Sequence, residues 1–223
     1  MCIGKILQKL ARCFVAGPLG NADLKRTCMP GFLLLFFWAS QSAHGQSHFY
    51  RRLADSALVL TQQQVVYDPA YYAIDYPNGD VPPGKGVCTD VVIRAYRMLG
   101  IDLQKEVHED MRAHFSKYPQ LWGLTQPDKN IDHRRVPNLM TFFARHGTTK
   151  LITHNPADYV PGDIVCWDLG SGITHIGIVS NQTAHNSTRP LIVHNIGAGQ
   201  VLEDILFTYQ IIGHYRYGSD TAR

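Results

Sequence analysis

Residues 79–100 read GDVPPGKGVCTDVVIRAYRMLG. The first half is a loop: its glycines and prolines exclude a regular element. From Val87 the pattern changes. Cys88, Val92, Ala95 and Leu99 recur at spacings of four, three and four, which is one face of a helix. Gly100 ends that helix, with Arg94 and Arg97 in its last turns, where cations suit the carbonyl end of the dipole. Cys88 therefore sits at a loop-to-helix junction and points toward whatever the helix packs on. In a first helical turn the free backbone N–H groups favour a thiolate, while Asp90, two residues on, opposes it. A cysteine on an apolar helical face is otherwise a small buried hydrophobe, so its partners must decide its role.

Outward from this helix the chain divides in two. Upstream, residues 49–65 carry an apolar stripe (Leu53, Ala57, Leu60, Thr61) and predict a helix. Downstream, residues 102–117 predict a polar helix and residues 137–146 a short one, opened by Pro137 and closed by Gly147. The C-terminal half is rich in β-branched residues bounded by turn residues: PGDIVCWDL (161–169), GITHIGIVS (172–180), RPLIVHNIG (189–197), VLEDILF (201–207) and IIGHYRY (211–217). Helices followed by an antiparallel meander of about five strands predict an α+β fold.

Two of these strands carry histidines on apolar rows. His175 alternates with Ile173, Gly177 and Val179, and His194 with Ile192 and Ile196. Gly177 leaves room beside His175. If the intervening loop closes a regular hairpin with Ser180 opposite Arg189, paired residue numbers add to 369. His175 then faces His194 directly, with Cα atoms roughly 4.5 to 5.5 Å apart. A thiol nucleophile needs such neighbours: a base to take its proton, and a polar group to hold that base in the useful tautomer. The expected set is Cys88 as nucleophile, His175 as base and His194 as orienter, with Asn195 as the alternative orienter. The Cys88 N–H offers half of an oxyanion hole.

The order of these motifs, a cysteine opening a helix, then PGDIV, THIGIV and IVHN, resembles the NlpC-type papain-like cell-wall peptidases. In that family the base lies in an HIGIV-like strand and a third polar residue in the next, which match His175 and His194. The resemblance implies a papain-like core and hydrolysis of peptidoglycan peptides by an acyl-enzyme route. Around the cysteine the chain departs from the pattern: Val87 stands where an acidic residue is usual, and Thr89-Asp90 where Ser-Gly is. The base lies 87 residues beyond the nucleophile, with an insertion at about 101–158 expected to shape the cleft. More closely, YPNGDVPPGKGVCTD, NIDHRRVPNL, PGDIVCWDL and HNIGAG in the stretch 50–217 resemble a bacterial family known as domain of unknown function 1287.

The first 45 residues have another character. The apolar run MPGFLLLFFWA (29–39) follows Lys25 and Arg26 and precedes Ala43 and Gly45, the layout of a secretory signal peptide cut before Gln46. The run is short for a membrane span, and an uncleaved anchor or a buried helix is the competing reading. This leader holds five of the 21 Lys/Arg and one of the 18 Asp/Glu, leaving 16 cations and 17 anions in residues 46–223. The near-neutral remainder gives nucleic-acid binding no support. Of the five cysteines only Cys88 and Cys166 remain after the leader. They could pair in an oxidising compartment, or Cys166, alternating with Ile164, fills the core. The HEDMRAH spacing of His108, Asp110 and His114 is not a zinc-helix spacing, so a solvated helix face is expected there, with Asp132 and His133 near it and no metal or other cofactor. IDHRR (131–135) suits either an anion site or a salt-bridged helix start. Tyr67, Tyr71, Tyr72 and Tyr76 line a groove or pack under their loop.

The expected protein is thus an exported, periplasmic or secreted, monomeric cysteine hydrolase. Residues 46–223 form one domain and cleave an amide bond in peptidoglycan peptides through Cys88, His175 and His194. Acyl or amide transfer through the same thiol, or a non-catalytic envelope-binding module, are the alternatives.

Overall fold

The computed structural model describes residues 48–219; the signal-peptide reading lies outside them. Among the described residues are four α-helices: α1 (48–60), α2 (Cys88–Met98), α3 (Leu103–His114) and α4 (Val136–His146). The short strands β1 (Val66–Tyr67) and β2 (Lys85–Gly86) pair with each other, in parallel. The main sheet holds β3 (Thr148–Thr149), β4 (Ile164–Asp168), β5 (Thr174–Thr183), β6 (Pro190–His194), β7 (Val201–Glu203) and β8 (Gln210–Arg216), in the order β3-β8-β4-β5-β6-β7. This is an α+β fold with a six-stranded antiparallel sheet. No helix among the described residues is long and apolar enough to cross a membrane.

Helix α1 stops short of the expected Val65, because Gln62, Gln63 and Gln64 add only exposed polar positions after the last core contact, Leu60. The sheet is not the simple meander expected. β4 to β7 follow one another, but β8 crosses back to pair with the far side of β4. Helix α3 is less solvated than its polarity suggested. Asp110 turns inward and binds Arg145 of α4 through two hydrogen bonds of 2.7 and 2.9 Å, with Tyr118, His114 and His146 around it. Asp132 and His133 are likewise buried.

The sheet is covered on both faces, which is why β4 reads as an unbroken apolar run rather than an alternating one. On the helix side Leu53, Val92, Tyr96 and Phe143 pack with Ile176, Ile178 and Cys166. On the other side Tyr159 and Leu206 cover Val165, Trp167, Val179 and Ile192. Cys166 and Cys88 are both free thiols, so the disulfide alternative does not hold; Cys166 is fully buried filler.

Candidate functional site

Helix α2 places Cys88 through three ties. Val87 precedes the helix with no side-chain acceptor to offer, and Asp90 supplies the missing cap by accepting the Val87 N–H at 2.7 Å. The guanidinium of Arg134 then clasps the same carboxylate at 2.9 and 3.0 Å, both side chains being buried. At the other end Arg94 and Arg97 both hold Asp80, and donate to the carbonyls of Lys85 and Gly79. The glycine- and proline-rich loop is thereby laced to the helix that follows it. Asn195, the alternative orienter, donates to the Gly86 carbonyl and accepts from the Gly197 N–H. It docks the end of β6 on the loop before Cys88 and does not hold the base.

The two histidines meet, although not in the register expected. Observed pairs are Ile178–Val193 and Val179–Ile192, whose numbers add to 371 rather than 369. Continued one step, this register sets His194 opposite Gly177, with His175 on the diagonal. A shift of two keeps both side chains on the same face. The long loop carries an irregularity between Val179 and Thr183, and this moves the register. Gly177 is the space that makes the diagonal contact possible: a Cβ there would stand 2.6 Å from Ile192 Cγ2 and 3.2 Å from His194 Cβ. The rings are perpendicular, with His175 Nε2 3.1 Å from His194 Nδ1. Both rings share the Trp167 row of the sheet, not the row under the helices; His175 and Trp167 have ring centroids 5.8 Å apart.

Sequence reasoning missed the next member. His194 Nε2 lies 3.1 Å from Oε2 of Glu203 on β7. The chain assigns every proton. An ionised carboxylate only accepts, so His194 Nε2 carries a hydrogen; Nδ1 of neutral His194 then only accepts, so His175 Nε2 carries one too. Neutral His175 is left with a bare lone pair on Nδ1, which is what a general base requires. Only the β6–β7 register could have revealed Glu203 from sequence, and VLEDILF alone does not give it.

Cys88 is buried beside the start of β5. Its sulfur faces the backbone amide of Ile176, the residue after His175, together with the amides of Thr89 and of Cys88 itself. The β5–β6 ladder begins only at Ile178. Cys88 belongs to the helix-side cluster with Ile176 and Ile178, whereas the His175 ring lies on the Trp167 side of the sheet. Burial dominates the electrostatics. It pushes the Cys88 thiol up to about 12 despite the Ile176 amide, and the Asp90 charge adds to the rise. Burial, then the His194 ring, brings His175 down to about 3. Both groups rest neutral. Alkylation of Cys88 by iodoacetamide, followed by mass spectrometry of its peptide, should therefore stay slow through neutral pH and keep climbing above pH 9. A rate already at its plateau below pH 8 would mean a preformed thiolate.

Cys88 opens onto a cavity of about 490 Å³, walled by Tyr67, Tyr71, Trp122, Arg135 and Ile173. Tyr67, Tyr71, Trp122 and Ile173 are all exposed. Tyr67 and Tyr71 thus line this groove, whereas Tyr72 binds Lys85 at the wall of a second one and Tyr76 meets His108 edge-on. A larger groove of about 920 Å³, between Leu60, Val65, Arg94 and Met98, holds none of the three predicted catalytic residues. The two arginines of IDHRR have different surroundings. Arg134 is the salt bridge, and Arg135 faces the cavity.

Residues 54–217 match the family described as domain of unknown function DUF1287. The chain is 55% identical over 165 residues to the uncharacterized protein YijF of Escherichia coli (strain K12), an alignment covering 74% of this chain and 80% of that protein. No solved structure matches the chain. A match spanning well over half of the sequence, with a relative this similar, places the chain in the DUF1287 family.

Proposed function

We propose that the protein is an exported cysteine hydrolase of papain-like, NlpC-type core that cleaves an amide bond in peptidoglycan peptides. One observation carries the reading: Glu203, His194 and His175 form a hydrogen-bonded chain that ends on the strand whose Ile176 amide faces the Cys88 sulfur. Peptidoglycan as substrate rests on the resemblance to cell-wall peptidases and on the signal-like leader.

In this mechanism the thiol is not ionised in advance. Sγ attacks the scissile carbonyl carbon as its proton passes to His175 Nδ1, and the carbonyl oxygen gains the charge. The Cys88 and Thr89 amides, in the helical turn that leaves such groups unpaired, stabilise it. The imidazolium of His175 shares its Nε2 proton with His194, whose own Nε2–H rests on Glu203. The tetrahedral adduct collapses, the C–N bond breaks, and the amine leaves with the proton from His175. Water, deprotonated by the same nitrogen, then attacks the thioester and restores the thiol. Glu203 is half-exposed, whereas both rings are buried.

The test is incubation of residues 46–223 with purified peptidoglycan fragments, read by mass spectrometry. New amine and carboxyl termini should appear, and none should appear with Cys88→Ala. No cleaved or thiol-trapped product with the unaltered cysteine would end the hydrolase reading and favour a binding module.

A further inference from the structure

We propose that Arg135 is the specificity residue of this cavity and that the substrate presents a free carboxylate to it. The proposal rests on the cavity being the substrate site of the hydrolase, and names the chemistry that site selects.

Arg135 immediately precedes α4, and its guanidinium lies over the Trp122 ring at 4.1 Å from the centroid. Trp122 has φ near 60°, a left-handed conformation that a bulky side chain adopts only when its surroundings hold it there. The ring is nonetheless more than half exposed at the cavity wall. Arg135 Nη1 is buried and has no hydrogen-bond partner. The carboxylates that act on Arg135 from a distance are Asp132 and Asp128. Asp132 Oδ2 accepts the Asp128 N–H at 2.7 Å, and Asp128 accepts from Tyr71 and from the Asn130 N–H. Asp128 and Asp132 Oδ2 are thus held by other donors, and Asp132 Oδ1 is buried with no hydrogen-bond partner, Arg135 included.

A buried donor on a cation with no partner is costly, and structures rarely keep one without use. Here Trp122 covers one flat face of the guanidinium. The guanidinium also lines the cavity, and its planar fork of N–H groups fits the two oxygens of a carboxylate. The fork shares its cavity with the nucleophile Cys88. A substrate gripped there carries its carboxylate beside the bond to be cut, as a peptide with an acidic side chain or free terminus next to that bond would.

The experiment uses peptidoglycan stem tetrapeptides: one with every carboxylate free, and a set with one carboxylate at a time converted to its amide. Binding is measured calorimetrically to the Cys88→Ser protein, alone and with Arg135→Gln or Arg135→Lys, and turnover is measured in the matching proteins with Cys88 intact. One amidation should weaken binding at least about tenfold. Arg135→Gln should remove that discrimination by weakening the free acid alone, raising KM and sparing kcat. Arg135→Lys should restore part of it, which a merely structural role would not do. Carboxylate-dependent binding without turnover by any protein would sink the hydrolase and leave this inference standing. Turnover of all peptides alike, unchanged by Arg135→Gln, would sink the inference and leave the hydrolase. Absence of binding by all the peptides would also overturn it.

Discussion

Turnover of the peptidoglycan fragment by a His175→Ala variant should fall by about 10³-fold or more, close to the loss from removing the sulfur itself. The two should not be additive. In the proposed mechanism His175 is the one base for a thiol that burial pushes up to about 12, and without the sulfur that base has nothing to activate. His194→Ala removes one charge-assisted hydrogen bond to the imidazolium, so about 10- to 100-fold is the expected loss. Glu203→Gln should do less still. The amide oxygen can accept the same His194 proton and keep the tautomer, but the charge is gone. His194 is already held below its ordinary value by burial, with Glu203 working against the burial. Loss of that charge makes either imidazolium harder to form, so the acid limb of the pH–rate profile should move to lower pH. Rates of kcat/KM against pH for the four proteins decide the matter. An equal loss in His194→Ala and Glu203→Gln with no movement of the limb would mean that the chain is structural.

Much of this was legible from the sequence because the signals were local. The junction at Val87–Cys88 needs only the turn residues before it and the apolar spacing after it, and α2 begins where that pattern begins. The row shared by His175 and His194 follows from period-two alternation, which survives any even error in register. That is why the expected register was wrong by two while the contact between rings was right. What was not legible depends on distant pairing. Glu203 is placed by the β6–β7 ladder. Placing β8 beside β4, rather than at the end of a meander, required knowing that β4 still had a free edge. Which face of the sheet holds the histidines also needed the second layer around Tyr159 and Leu206, because two covered faces look alike in an apolar strand. The IDHRR segment shows the same limit: two adjacent arginines carry the same charge in sequence, and only the fold separates the one that is paired from the one that is not.

The largest effect on stability should come from Arg134→Met. Arg134 holds Asp90 from the 3-10 turn Asp132–Arg134, 44 residues along the chain, and also donates to the Ala70 carbonyl at 3.1 Å, so it joins the tyrosine loop, the start of α2 and the segment before α4. Both partners are almost wholly buried. Replacing such an ion pair outright with apolar groups can be neutral, but removing one partner strands a charge in a medium that solvates it poorly, at about 3 to 5 kcal/mol. For a domain this size that corresponds to a fall of roughly 6 to 20 °C in the thermal midpoint. The stranded Asp90 carboxylate is also the cap on the Val87 N–H. The double variant Asp90→Asn/Arg134→Met should therefore be more stable than the sum of the single losses predicts. Asn keeps an oxygen for the cap and carries no charge to strand. Chemical denaturation of the two single variants and the double variant measures the coupling. A loss under about 1 kcal/mol in Arg134→Met, or strict additivity in the double variant, would show that water reaches this pair and that the ties of Cys88 to the fold lie elsewhere.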